Sequence, residues 1–335
     1  MDFYSKWLNS WDEEREEIAK ARKVIHEDEL VWVRTRQDYR AALLCSRENG
    51  FFTPGDAILA EIPQGWHTGK HSHGEEAIHI VEGQGFSVID DRRYDWEAGS
   101  CLFIPFGAVN QHFNTGNGKV RYLSAMAVTL ERFAGFAKIV QYEDAGETPM
   151  HVIEGFTKAE SDIHPEYGRI VLRLNEAPSH SAKEWGDTQA KATDDLYQTA
   201  AKEMRTPGVP GHRSRQVRFM GWPDTGFKAT EVEISAILCD EPGKHGGKHS
   251  HMEALLYVLQ GEGYSVVDEE KIEWKKGSLI HVSGPQTVHQ HFNTGQLEAQ
   301  QLRFHYGLRA KFFQRVAMRV FPYLYYEYSS YGSGE

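Results

Sequence analysis

A pentapeptide carrying two histidines in alternate positions occurs twice in this chain, and it constrains the fold more than any other feature. Gly69-Lys70-His71-Ser72-His73 returns as Gly247-Lys248-His249-Ser250-His251. Each copy leads through an apolar run into a Gly-x-Gly turn, at Gly83 and Gly85 and again at Gly261 and Gly263. Farther on, Gln111-His112-Phe113-Asn114-Thr115-Gly116 returns as Gln290-His291-Phe292-Asn293-Thr294-Gly295. A repeat of this length means one fold unit used twice. On a strand, residues i and i+2 share a face roughly 6.6–6.8 Å apart. Each His-x-His therefore aims two imidazoles into whatever its sheet curls around, which points to a metal.

The rest of the chain is read around these repeats. Apolar Trp7, Leu8, Trp11, Ile18 and Ala21 among acids and bases predict a helix over 5–28 that lies on another element. From about 50, short β-branched and aromatic runs broken by Gly, Pro and Asp predict antiparallel barrels. The expected organisation is a helical segment over 1–48, a first barrel over 49–145 and a connector over 146–216, followed by a second barrel over 217–310 and a helix with a Tyr-rich tail over 311–335. Helices are expected near 189–204 and over 310–320. Within the repeat, Ile58-Leu59-Ala60 is matched to Ser235-Ala236-Ile237, Trp96 to Trp274, and Arg121-Tyr122 to Arg303-Phe304. The fold class is all-β, a tandem of jelly-roll barrels.

Composition excludes several partners. A formal charge of −11 over 335 residues lacks the basic face that phosphate binding needs. No apolar run approaches the ~20 residues that cross a bilayer, and the acidic N-terminus is unlike a signal peptide. Cys45, Cys101 and Cys239 are an odd, scattered set suited to a reduced compartment. A cytoplasmic homo-oligomer is expected.

Two histidines need a third ligand from another strand. In the second copy it is His289, just past Ser283-Gly284-Pro285, with His291 two residues on. Three imidazoles can hold one face of a divalent ion and leave the other open. The segments Gly69–Asn114 and Gly247–Asn293 resemble the two motifs of the cupin superfamily, so the chain resembles a bicupin. That resemblance assigns a glutamate position, which is Glu76 in the first copy and Ala254 in the second, and a third histidine, which is Asn110 in the first and His289 in the second. The primary metal site is expected at His249, His251 and His289. A possible second site comprises His71, His73, Glu76 and His112. The spacing after each His-x-His also allows Glu75 or Glu253 to reach inward if the strand bulges.

Three neutral ligands leave a divalent centre at full charge, suited to an anionic, chelating substrate beside O2. A bare three-histidine site resembles the gentisate and salicylate 1,2-dioxygenase-like cupins, which implies Fe(II) and ring cleavage of a small aromatic acid. The enzymes of that group usually carry the metal in their first barrel, whereas here the fuller set lies in the second. His291, Gln290 and Arg303 are candidates for contacts around the substrate. Arg303 and Arg121 can each anchor a carboxylate through the planar guanidinium, although an ion pair is the commoner use. His281 fits either a pocket wall or a satisfied core, and Arg213, Arg215 and Arg218 read as surface charges. No G-x-G-x-x-G dinucleotide fingerprint follows a strand. Two other readings stay open: a decarboxylase, lyase or isomerase using Mn(II) or another divalent ion, with Glu76 as ligand or acid/base, and a bicupin that binds a small molecule without turning it over.

Overall fold

The computed structural model describes residues 2–181, 215–306, 324–327 and 329–331. The helices expected near 189–204 and over 310–320 lie outside them, as do Arg213, Tyr323 and Tyr328. Two jelly-roll barrels, each made of two antiparallel sheets, account for most of the described chain. One seven-stranded sheet of the first barrel runs in the order Val171–Leu172, Cys101–Ile104, Glu76–Glu82, Val120–Met126, Asp56–Ile62, Arg40–Cys45, Trp32–Val33. Its counterpart in the second runs Val24–Ile25, Leu279–Val282, Ala254–Gln260, Ala299–His305, Glu233–Asp240, Arg215–Arg218, Ser179–Ser181. Each barrel thus borrows strands from elsewhere: Val24–Ile25 pairs with the second barrel, and Val171–Leu172 with the first.

Alternation along these strands gives each of these two sheets two largely buried faces. Even-numbered Ala60, Ile62, Ile78, Ile80, Leu102, Ile104, Val120 and Tyr122 fill the first barrel. Odd-numbered Leu59, Ala77, Cys101, Phe103 and Leu123 join Ile237, Leu255, Tyr257, Leu279, Leu302 and Phe304 in one apolar core between the barrels. A sheet buried on both sides explains why its strands read as nearly continuous apolar runs.

The Gly-x-Gly turns have a steric cause. Gly83 and Gly261 sit at φ of 92° and 89°, in the left-handed region. A Cβ on Gly85 or Gly263 would fall 2.0 Å from the carbonyl oxygen of Phe113 or Phe292 on the adjacent strand. The hairpins that follow turn at Asp90-Asp91 and Asp268-Glu269, all at positive φ. Asp90 and Asp268 each accept from the backbone N–H that opens the next histidine strand, Val109 and Val288, at 2.9 Å.

Five expectations are corrected. The N-terminal helix spans Phe3–Lys20 and stops before the edge strand Val24–Ile25. Its first turns do not lie on the described barrels: Trp7 is 66% and Leu8 65% exposed, while Ile18 is buried. Arg218 is buried, with Asp224 at 2.7 Å, because it ends the strand Arg215–Arg218 and pairs with Ala236 rather than lying in a surface loop. The late strands also align differently from the sequence match. Ser124 pairs with Ile78 and Arg303 with Leu256, and Ile78 and Leu256 stand equally far from their motif glycines. Arg303 therefore corresponds to Ser124, and Arg121 to Gln300. By the same registers Ile58 answers Ala236, not Ser235.

Candidate metal centres

In the second barrel, strand Lys248–Ser250 pairs with Val288–Asn293 so that His249 stands opposite His289. His251 follows at the strand end. Ligand atoms of His249, His251 and His289 all lie within 4.8 Å of one another, and the Nε2 atoms of His289 and His251 are 3.1 Å apart. Each ring is oriented by main chain. Nδ1 of His249 meets the Gly247 carbonyl at 2.8 Å, Nδ1 of His289 the Thr287 carbonyl at 2.9 Å, and Nδ1 of His251 the Met252 carbonyl. A carbonyl only accepts, so each Nδ1 carries the proton and Nε2 presents its lone pair. Burial, and then the charge of His289, hold His251 well below the usual histidine range, which keeps it neutral. Three neutral Nε2 donors in one tautomer, turned to a common point, fit a divalent transition ion.

The first barrel places His71, His73 and Glu76 in a comparable cluster. Asn110 stands opposite His71, the register His289 has with His249. Its amide bridges the two histidines, with Oδ1 3.0 Å from His71 Nε2 and Nδ2 3.2 Å from His73 Nε2. His73 Nδ1 donates to the Gly74 carbonyl at 2.8 Å. Glu76 accepts from Ser124 through Oε1, and its buried Oε2 lies 3.3 Å from His73 Nε2. Burial pushes the Glu76 carboxyl up, but the hydrogen bond and charge of His73 outweigh it and bring it down to about 2. Burial, and then His73, bring His71 down to about 3. The donors fit a divalent ion with one carboxylate, the reverse of the all-neutral set in the second barrel.

His112 and His291 share a different arrangement. Trp274 Nε1 donates to Ser265 Oγ at 3.0 Å, and Ser265 Oγ lies 2.6 Å from His291 Nδ1. Trp96, Ser87 and His112 repeat it at 2.8 and 2.7 Å. The buried serine oxygen accepts from tryptophan and, among the described residues, Nδ1 is the acceptor left for its own proton, an arrangement that keeps the histidine proton on Nε2. They are set up as donors, not as ligands like their neighbours. His291 nonetheless stays beside the triad, its ring 5.4 Å from that of His289.

Strand alternation turns Gln290 the other way. Its amide donates to the Gly246 carbonyl at 2.9 Å, as Gln111 donates to that of Thr68 at 3.1 Å, so it secures a loop rather than facing the triad. Glu75 and Glu253 also face away from the clusters. Glu75 accepts from the Thr230 and Glu231 N–H groups at 2.7 Å, tying the first barrel to the start of the second. Glu253 meets His281 Nε2 at 3.0 Å, both fully buried, which makes His281 a satisfied core residue. Arg121 is committed to Glu61 and Glu27, each at 2.7 Å. Arg303 projects into the second barrel, its Nε donating to Ser235 Oγ at 2.8 Å. Leu324–Glu327 of the tail pairs with Lys248–Ser250, the first histidine strand of the second barrel. The tautomers of His112 and His291 were not legible from spacing, although the duplicated Ser and Trp were the available signal.

Known proteins resemble this chain. The description Cupin domain matches residues 58–126 and 236–302. The chain is 24% identical over 246 residues to 1-hydroxy-2-naphthoate 1,2-dioxygenase of Nocardioides sp. strain KP7, a stretch that is 69% of this chain and 59% of that protein, so only part of that relative's length is spanned. Salicylate 1,2-dioxygenase of Pseudoaminobacter salicylatoxidans, as its adduct with gentisate, aligns over 96% of this chain and 92% of that one, with TM-score 0.60 and 15% identity. A mutant of Bacillus subtilis oxalate decarboxylase aligns over 85% and 77%, with TM-score 0.59 and 13% identity. No helix among the described residues is long and apolar enough to cross a membrane. Two cupin domains, each folded as a jelly-roll barrel around its own histidine cluster, make this chain a bicupin.

Proposed function

We propose that this bicupin is an Fe(II)-dependent dioxygenase that cleaves a small aromatic hydroxy-acid with O2 at the three-histidine site of the second barrel. The observation that carries the reading is the set of three neutral Nε2 donors with Ala254 where the first barrel has Glu76. A bound Fe(II) would supply a divalent Lewis acid with open positions for a chelating acid and O2. The chain's own work is positional. His249, His251 and His289 are held in one tautomer by carbonyls, and His291 offers Nε2–H to an anion arriving beside them. Burial of His289 and His291 restricts water around the reacting atoms. The hydroxynaphthoate and salicylate dioxygenases among its relatives support the substrate class.

Oxygen stoichiometry tests the reading. Each turnover should consume one O2, place both labelled oxygen atoms in the product, and need neither NADH nor 2-oxoglutarate. Turnover at an undiminished rate without oxygen overturns it. A second reading, an Mn(II) decarboxylase working at His71, His73 and Glu76, is favoured by the carboxylate in that cluster and predicts CO2 release without O2 uptake. Three buried cysteines, in no disulfide among the described residues, support a reducing compartment, and the exposed Phe3, Tyr4, Trp7 and Leu8 support self-association.

A further inference from the structure

The N-terminal helix carries one apolar stripe that its own barrels cover only in part. Phe3, Tyr4, Trp7, Leu8, Trp11 and Ile18 share a single helical face. The C-terminal half of the stripe is anchored. Ile18 is buried, and Arg15 donates to the Pro285 carbonyl at 3.2 Å and stands 3.9 Å from Asp268 of the second barrel. The N-terminal half continues into solvent, with Phe3, Tyr4, Trp7 and Leu8 between 58% and 68% exposed. This overhang is a finished helix end, since the Asp2 carboxylate accepts from the Tyr4 and Ser5 N–H groups at 3.0 Å. Two helical turns without a packing partner have little stability of their own in water.

The first barrel carries a surface that can receive it. Phe133, Phe136, Ile139 and Tyr142 lie close together in the chain and are 40–92% exposed. Phe106 joins them, half exposed, its ring 5.6 Å from that of Phe136. The backbone beneath is well tied down. Gly135, at φ 84°, ends the helix Val128–Ala134 between the two phenylalanines, and Val140–Glu143 pairs with Lys70–Ser72. Gly107, beside Phe106, donates to the His73 carbonyl at 2.7 Å.

Area and charge both point to a second copy of the chain as the occupant. At roughly 200 Å² per large side chain, the exposed fractions amount to about 600 Å² of patch and about 500 Å² of helix. One helix on one patch would bury roughly 1,100 Å², and two such contacts about a twofold axis roughly 2,200 Å², enough for a stable dimer. Apolar patches of this size mark interaction surfaces. Charge favours helix on patch over like on like. Residues 132–142 include exposed Arg132 and Lys138 and no acid, whereas the helix follows its aromatic end with exposed Asp12, Glu13 and Glu14.

We propose that the N-terminal helix of one copy docks its aromatic end on the Phe133–Phe136–Ile139 patch of a second copy, reciprocally, in a twofold dimer. The pairing rests on the self-association proposed above and names its two faces. It fastens the copies at the segment that carries His71 and His73 and uses no metal ligand.

The test is sedimentation equilibrium of the full chain, with Trp7→Glu and Phe133→Glu as separate variants. Both positions are exposed, so circular dichroism should be unchanged. Each variant should raise the dimer dissociation constant at least about 30-fold, as loss of a central aromatic anchor does. Chains carrying Trp7→Cys and Phe133→Cys, coexpressed with different tags and oxidised, should form a disulfide joining the two tags. The native Cys45, Cys101 and Cys239 are buried and should not compete. A chain that sediments as a monomer overturns the self-association and the pairing together. An oligomer that either glutamate variant leaves intact, with no disulfide between the tags, overturns the pairing and leaves self-association standing. A monomer that binds phosphatidylglycerol vesicles through Phe133 gives the patch to a lipid surface and overturns the pairing as well.

Discussion

Removing His289 tests the site at its most exposed assumption. The substitution His289→Ala deletes one of three Nε2 donors that lie within 4.8 Å of one another and leaves a buried position with nothing to replace it. Altering only a group that orients a ligand typically costs about 10–100-fold in metal affinity. Deleting the ligand itself should therefore exceed about 100-fold, or roughly 2.7 kcal/mol at 1.36 kcal/mol per decade. The fold should survive, because the ring's Nδ1 bond to Thr287 joins neighbouring residues and holds no strands together. The assay is anaerobic reconstitution with Fe(II), dialysis, and iron determination by emission spectroscopy, with circular dichroism as the control for folding. The unaltered chain should retain about one tightly held ion, His289→Ala almost none, and His71→Ala as much as the parent. Iron retained by His289→Ala and lost by His71→Ala would refute the choice of barrel.

Other expectations follow from the same geometry. Asn110→His places an imidazole in the register of the missing third ligand, and metal analysis should then find about one more ion per chain. Ser265→Ala frees the Nδ1 of His291 from the hydroxyl proton, which should lower kcat about 10-fold by releasing the Nε2–H tautomer, with iron content unchanged. Gly263→Ala drives a Cβ to 2.0 Å from the Phe292 carbonyl, so urea denaturation should show a loss of about 3 kcal/mol, whereas Gly246→Ala, with nothing within 4 Å, should be nearly neutral. Burial raises the Asp38 carboxyl to about 7 against the hydrogen bond from Tyr122. The native state then holds a proton that the unfolded chain releases, so this residue's contribution is present in acid and declines as pH rises from about 4 to 7. Asp38→Asn should remove that decline, and its stability relative to the parent, read by urea midpoints, should improve across that window.

How much of this was legible in the sequence depends on the range of the forces involved. The tandem barrels, the His-x-His pairs and the Gly-x-Gly turns are local matters. Strand alternation aims His249 and His251 together whatever the surroundings, and a left-handed turn at Gly261 needs glycine wherever it occurs. The same alternation separates Glu76, which faces its cluster, from Glu75, which ties the barrels together, but only once the strand's starting residue is known. Arg303 was assigned the wrong partner because the loop before the last barrel strand carries no alignable signal. Hydrogen-bond register pairs it with Leu256 and thereby with Ser124 of the first barrel.

By itself, then, the sequence determined the duplicated all-β plan, the three histidines of the second barrel and the absence of a carboxylate among them, since each depends on residue type and a period of two. Only the tertiary structure decided the tautomers, the bridging of His71 and His73 by Asn110, the turning away of Gln290 and the inward course of Arg303. Those depend on which carbonyl, hydroxyl or neighbouring strand lies within about 3 Å of a side chain: the carbonyls that orient the triad sit one or two residues away but need the strand's actual course, and the partners of Asn110, Gln290, His291 and Arg303 stand tens of positions off in the chain.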